Sequence, residues 1–403
     1  MKAKRVAITG LGIFCSTGKD VEEFSQSLKQ GRTGIGPITL FDTTKYPCKI
    51  GAEIKDYRPE EFFKKRELKK LSRADQFGLI ASEEAVKTSG IQSYPSEEVG
   101  VCLGAGAGGM LEAETYHREV LVKGKSKPSL IWPFIPSFTS DRIAERFGFS
   151  GPKFTVTTAC SSSATAIGYG ADLIRSGKSK AVLCGGSEAL SELTFGGFNS
   201  LKSMDPLPCR PFDRKRAGMS LGEGAGILIL EDFDEATERG VRIYAEFLGY
   251  GIGGEAYHIT APEPTGIGGT RIMKEAIEES GIPLTEIDYI NAHGTGTPLN
   301  DKAETLSIKN LFRERAYSIP ISSIKSSIGH CLGSAGAIEA VASILSITHR
   351  FIPPTLNHHE GDEDCDLDYV PGKSREAEVR FVLSNSFAFG GNCTSLVFGK
   401  CSL

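Results

Sequence analysis

The run Ala181-Val182-Leu183-Cys184-Gly185-Gly186-Ser187 is echoed far downstream by Phe381-Val382-Leu383-Ser384-Asn385-Ser386, and both read as buried strands that end in a small-residue turn. Strand-like segments at 5–9, 99–103, 154–158, 181–184, 226–231, 289–291 and 381–384 alternate with helical stretches at 21–30, 75–89, 164–176, 270–280, 302–311 and 335–349. Alternation of this kind favours an α/β layered fold, and the echo points to two duplicated halves. The join falls in the charged stretch Asp232-Phe233-Asp234-Glu235-Ala236-Thr237-Glu238-Arg239-Gly240, which divides the chain into 1–240 and 241–403.

The first half carries a reactive-looking junction. In Thr155-Val156-Thr157-Thr158-Ala159-Cys160-Ser161-Ser162-Ser163 a β-branched strand breaks into a helix of small residues. The helix start offers free N–H groups and a positive dipole end, so a thiolate on Cys160 is expected and nucleophilic catalysis is its natural use. Gly168 and Gly170 in that helix each cost on the order of 1 kcal/mol relative to alanine, which close packing against another element must offset.

Two histidines sit in comparable surroundings in the second half. His293 lies in Asn291-Ala292-His293-Gly294-Thr295-Gly296-Thr297-Pro298 with Asp301 and Glu304 following, and His330 lies in Lys325-Ser326-Ser327-Ile328-Gly329-His330-Cys331-Leu332-Gly333. Glycines and hydroxyl residues of this kind bring backbone close to a ligand. One thiol accepting an acyl group and two neutral imidazoles donating to a carbonyl oxygen form a set that stabilises an enolate as it develops. That chemistry needs no metal and no redox cofactor.

Together with the turn Asn385-Ser386-Phe387-Ala388-Phe389-Gly390-Gly391, these motifs resemble the β-ketoacyl-acyl carrier protein synthases, in particular the type II elongating condensing enzymes of the thiolase-like superfamily. The similarity runs from Val6 to Phe398. It implies a thiolase-type duplicated fold, a five-layer αβαβα stack with two mixed sheets. It also implies decarboxylative Claisen condensation of an acyl chain on Cys160 with malonyl-acyl carrier protein, giving a 3-oxoacyl-acyl carrier protein in fatty-acid or polyketide and polyene elongation.

The same resemblance makes Cys160, His293, His330 and Lys325 the catalytic residues, with Glu304 supporting the network. Phe389 would be the gate, its N–H joining that of Cys160 as an oxyanion hole, and Thr295 and Thr297 would hold the phosphopantetheine arm on which the substrates arrive. Ala388 stands where many members carry glycine, Gly296 where the bacterial fatty-acid enzymes often carry serine, and Asn392-Cys393 where Thr-Asn is usual, changes that bear on the gate and on acyl range rather than on the nucleophile. Other members of the fold are degradative thiolases with a Cys-His-Cys site, initiating synthases with Cys-His-Asn, and non-catalytic chain-length partners that lack the nucleophile. His330 separates this chain from the first two and Cys160 from the third.

Composition restricts the remaining classes. With 403 residues, 40% hydrophobic and 24% charged, the chain has the make-up of a soluble globular enzyme, and its net charge of −4 argues against nucleic-acid binding. None of the ten cysteines forms a CxxC pair, so neither a disulfide scaffold nor a zinc ribbon is expected. No uncharged run reaches the roughly twenty apolar residues of a membrane helix, so a cytoplasmic location is expected.

Lys64, Lys65, Arg66, Lys69, Lys70 and Arg73 form a basic cluster suited to steering an acidic carrier protein, with Lys202 added on the resemblance. The family also implies a dimer, either with itself or with a chain-length partner. Gly104-Ala105-Gly106-Ala107-Gly108-Gly109 matches GxGxxG but lacks the acidic strand end of a dinucleotide site, and reads as a tight turn. The stretch from His358 to Asp368 reads as a solvated acidic loop rather than a metal site, and His258 lies in a loop expected beside the active site.

Overall fold

A computed structural model of the chain describes residues 4–401. Its strands in chain order are β1 (Val6–Cys15), β2 (Val99–Gly104), β3 (Lys153–Val156), β4 (Ala181–Glu188), β5 (Gly224–Asp232), β6 (Ala245–Gly254), β7 (Tyr289–Asn291), β8 (Ile321–Ser322), β9 (Phe381–Phe387) and β10 (Asn392–Gly399). They lie in the order β8-β7-β9-β10-β6-β1-β5-β4-β2-β3. Each half contributes five strands with the same pattern, so that β1 to β5 correspond one by one to β6 to β10. The echoed segments are β4 and β9, both parallel to an outer neighbour and antiparallel to an inner one.

The two sheets expected from the resemblance are joined. β1 and β6 pair through Val6↔Phe247, Ala7↔Glu246 and Ile8↔Ala245, which makes a single ten-stranded ladder. Two further two-stranded ladders lie apart from it.

The main helices are α1 (Val21–Gln30), α2 (Arg73–Ser89), α3 (Met110–Lys123), α4 (Phe138–Phe147), α5 (Ser162–Arg175), α6 (Glu192–Ser200), α7 (Ile267–Ser280), α8 (Pro298–Phe312) and α9 (Ala335–His349). Helices α5 and α9 touch each other and strands of both halves. Helix α2 covers the outer face of the first half and α7 that of the second, with α8 beside it, which gives the layers α, β, α, β, α. One core cluster fills the central layer, and two others sit beneath the outer helices.

The central helices carry the sequence signature of burial on all sides. Every residue of α9 from Ala335 to Ile347 is buried. The stretch Leu332–His349 is long and apolar enough to cross a membrane, yet most of it lies inside the fold, where it serves as a core helix. In α5, a Cβ at Gly168 would lie 2.5 Å from the Tyr250 ring, so the glycine permits the close packing its cost required.

The same duplication places the chemistry. Both β3 and β8 run into a turn and then a central helix: Cys160 follows β3, while Lys325 and His330 follow β8. His293 lies just past the end of β7.

Candidate active site

Ala159 adopts φ +53, a left-handed conformation costly for a residue with a Cβ, and this turn presents Cys160 immediately before α5. Cys160 is 6% exposed. Together with His293, Thr295, Thr297, His330 and Phe389 it lines a cavity of about 290 Å³ that Phe198 and Lys202 also border. Six expected site residues therefore share one chamber.

The imidazoles are held in defined tautomers. Lys325 has only donors on its ammonium, and its Nζ lies 3.3 Å from Nδ1 of His293, so the ring proton of His293 resides on Nε2. His330 is set by backbone: the Leu332 N–H donates to its Nδ1 at 3.3 Å, and Nε2 has no partner among the described residues. The two rings meet edge-on with centroids 5.3 Å apart. Burial holds both histidines well below the usual imidazole range, and the Lys325 charge pushes them further the same way. Both rings are thus neutral N–H donors.

Lys325 is sealed at 1% exposure and forms an ion pair with the equally buried Glu339 of α9. Burial pushes the Glu339 carboxyl up to about 7, against the pull of Lys325. Glu339 was absent from the sequence reading, although a lone carboxylate in an otherwise apolar central helix was a signal that it had a buried partner.

Glu304 holds the His293 loop as expected. Its carboxylate accepts the N–H groups of His293 and Gly294, each at 2.8 Å, and a bond from Asn385 Nδ2 at 3.2 Å. Asp301 accepts the Gly296 N–H at 3.2 Å, and the Thr295 and Thr297 hydroxyls lie 2.9 Å apart. Phe389 aims its N–H at the Cys160 sulfur and sets its ring 5.7 Å from that of Phe198. The loop of His258 abuts the same turn, since Ile259 accepts the Gly390 N–H at 2.8 Å.

Two expectations need correction. The Cys160 thiol is pushed up to about 11 by burial, which outweighs both Lys325 and the Phe389 N–H. The resting sulfur is therefore a thiol, not the thiolate expected from the helix start. Arg73 leaves the basic cluster, because its guanidinium is largely buried and paired with the buried Glu223 at 2.6 Å. Lys64, Lys65, Arg66, Lys69 and Lys70 stay exposed but do not line the cavity. The GxGxxG stretch is the tight turn its sequence indicated, and it is already occupied: the carboxylate of Glu188 accepts the N–H groups of Gly106, Ala107 and Gly108 where a phosphate would otherwise sit. In the His358–Asp368 stretch, Arg216 pairs with Asp362, Lys302 with Asp364 and Arg375 with Asp368.

Comparison with known proteins then decides the family. Residues 3–236 match the model of the β-ketoacyl synthase N-terminal domain and residues 244–359 that of its C-terminal domain. The chain belongs to the β-ketoacyl synthase family. This β-ketoacyl synthase is 42% identical to a 3-oxoacyl-[acyl-carrier-protein] synthase 2 from Synechocystis sp., with 99% of each chain covered. Among solved structures it resembles the ishigamide ketosynthase/chain length factor (TM-score 0.95, 38% identity, 99% of this chain and 100% of that one covered). A type II polyketide acyl carrier protein in complex with its ketosynthase bound to the hexaketide also matches (TM-score 0.92, 30% identity, 99% and 100% covered).

Proposed function

We propose that this β-ketoacyl synthase is a condensing acyltransferase that elongates acyl chains by decarboxylative Claisen condensation, with Cys160 as nucleophile and His293, His330 and Lys325 as its catalytic partners. The observation that carries the reading is the pair of neutral imidazoles, each with its proton on Nε2, in one chamber with a thiol.

In the first half-reaction Cys160 loses its proton and its sulfur attacks the thioester carbonyl of an acyl carrier protein. The N–H groups of Cys160 and Phe389 hold the oxyanion, the carbon–sulfur bond to the carrier breaks, and the carrier thiol leaves with a proton. In the second, the bond between the malonyl carboxylate and its neighbouring carbon breaks. Carbon dioxide departs and the electron pair becomes an enolate whose oxygen accepts from Nε2–H of His293 and His330. The enolate carbon attacks the acyl-Cys160 carbonyl, the carbon–sulfur bond breaks with the electron pair on sulfur, and the released thiolate takes up a proton from water to restore the thiol as the 3-oxoacyl carrier protein leaves.

Thr295 and Thr297 hold the phosphopantetheine arm, Phe389 gates the chamber, and Lys64, Lys65, Arg66, Lys69 and Lys70 receive the acidic carrier protein. No separate metal or redox cofactor takes part, and the protein acts in the cytoplasm. The halves divide at 240/241. It acts as a dimer: the edge strand β3 leaves Phe154 51% exposed, and Trp132, Phe134 and Ile135 are exposed apolar side chains as well.

A second reading, a non-catalytic chain-length partner in a polyketide synthase heterodimer, draws on the likeness to structures that pair a ketosynthase with a chain length factor. Cys160 in the chamber favours the catalytic role. Incubating the purified protein with acyl carriers of graded length plus malonyl carrier tests it, with products identified by mass. A 3-oxoacyl product two carbons longer than the donor is expected, and carbon dioxide release without any lengthened product would contradict condensation.

A further inference from the structure

The Glu188 carboxylate is a buried group that the reaction above does not use. Strands β2 and β4 run parallel with Gly104 opposite Gly186, so the residue two places beyond Gly186 comes to lie over the residue two places beyond Gly104. That register sets Glu188, which is 0% exposed, on the N–H groups of Gly106, Ala107 and Gly108, the latter two at 3.0 Å.

A second segment meets the same carboxylate from the other half of the chain. Gly333 presents its backbone N–H to Glu188, and a Cβ on Gly333 would lie 2.5 Å from Glu188 Oε1 and 2.5 Å from the Gly106 nitrogen. Only a glycine fits between them. Gly333 directly follows Leu332, whose N–H fixes Nδ1 of His330. Leu332 itself is held at φ +48, a conformation that costs free energy for a residue with a Cβ and persists only where its surroundings enforce it.

We propose that Glu188 is a positioning residue for His330, acting through Gly333 and Leu332 to keep the imidazole in the tautomer and orientation that decarboxylation requires. The carboxylate clamps two main-chain turns that come from different halves of the fold. Without it, four N–H donors lose a buried acceptor, and the Gly333 contact that helps to hold Leu332 in its left-handed conformation is lost. Burial pushes the Glu188 carboxyl up to about 7, and its ionised form opposes the Cys160 thiolate. Removing that charge while loosening Leu332 pushes the two half-reactions in opposite directions.

This inference rests on the roles assigned to Cys160 and His330, and the experiment separates the two. Wild type, His330→Ala, Glu188→Gln and Gly333→Ala are compared for malonyl carrier decarboxylation and for alkylation of Cys160 by iodoacetamide at neutral pH. Glu188→Gln keeps the size and shape of the side chain. It is expected to slow decarboxylation about tenfold or more, the scale of a small misplacement of a catalytic group, while Cys160 is alkylated as fast as in wild type or faster. Gly333→Ala should slow decarboxylation likewise. If His330→Ala is impaired but Glu188→Gln decarboxylates at the wild-type rate, the positioning role is wrong and the functional reading stands. Equal slowing of both reactions in Glu188→Gln would also overturn it, since that is the mark of general loosening. If His330→Ala decarboxylates normally, the functional reading itself fails.

Discussion

Nζ of Lys325 lies 3.3 Å from Nδ1 of His293 while the same ammonium is paired with Glu339, so one buried cation both fixes an imidazole tautomer and neutralises a carboxylate in the central helix layer. Breaking that pair strands a charge in the interior. Glu339→Gln should lower stability by about 3–5 kcal/mol, the usual cost of leaving one partner of a buried ion pair, as read from the denaturant midpoint. The double variant Lys325→Met/Glu339→Leu should regain most of that stability yet remain deficient in decarboxylation, because His293 has lost its donor.

The depressed basicities of His293 and His330 predict an unusual pH profile. Both rings stay neutral below the ordinary histidine value of 6.5, so decarboxylation should not decline as pH falls through that value. The linkage to stability has the opposite consequence: below 6.5 an unfolded chain binds protons that the buried rings refuse, so these two histidines make the fold less stable as pH falls. Initial rates of carbon dioxide release across pH 5 to 8, taken well below the unfolding temperature, check the first statement. An apparent pKa near 6.5 in that rate would contradict neutral donors.

A thiol pushed up to about 11 predicts slow alkylation at neutral pH. The rate at Cys160 should rise about tenfold per pH unit across the alkaline range, because only the thiolate reacts. Peptide mapping after iodoacetamide treatment gives the profile, and a plateau already reached by pH 7 would show a low-pKa cysteine instead.

Cys160→Ala and His330→Ala separate the half-reactions. The first should abolish condensation but retain malonyl decarboxylation, since both Nε2–H donors remain. The second should keep partial acylation of Cys160 and cripple decarboxylation. Mass spectrometry of the intact protein reads acylation, and carbon dioxide release reads the other step.

Much of this architecture was legible in the chain. The β-branched run before Cys160 and the apolar segments at 181–184, 289–291 and 381–384 are strands in the structure, and the helices at 21–30 and 335–349 have the bounds their patterns indicated. Strand β1 runs on to Cys15, past the glycines that had suggested an end at Thr9. A Cβ at Gly12 would lie 1.8 Å from the Ala81 carbonyl oxygen, so these glycines serve the approach of α2 rather than a turn. Strands β6 and β10 were missed because their glycines and polar residues hide the period-two signal, although both belong to the central ladder.

The site residues were legible wherever a local motif surrounds them. Glu188 and Glu339 were not, because each meets its partners only after the sheet and the central helices have assembled. The thiolate expectation erred for a related reason: a helix start is visible in sequence, whereas the burial that dominates Cys160 is not.

The most direct test of the central claim is tandem mass spectrometry of the protein after exposure to an acyl carrier protein and a chase with malonyl carrier. An acyl adduct confined to the Cys160 peptide, lost in the chase as a 3-oxoacyl carrier appears, is the predicted result. An adduct on any other residue, or one on Cys160 that persists through the chase, would contradict the account.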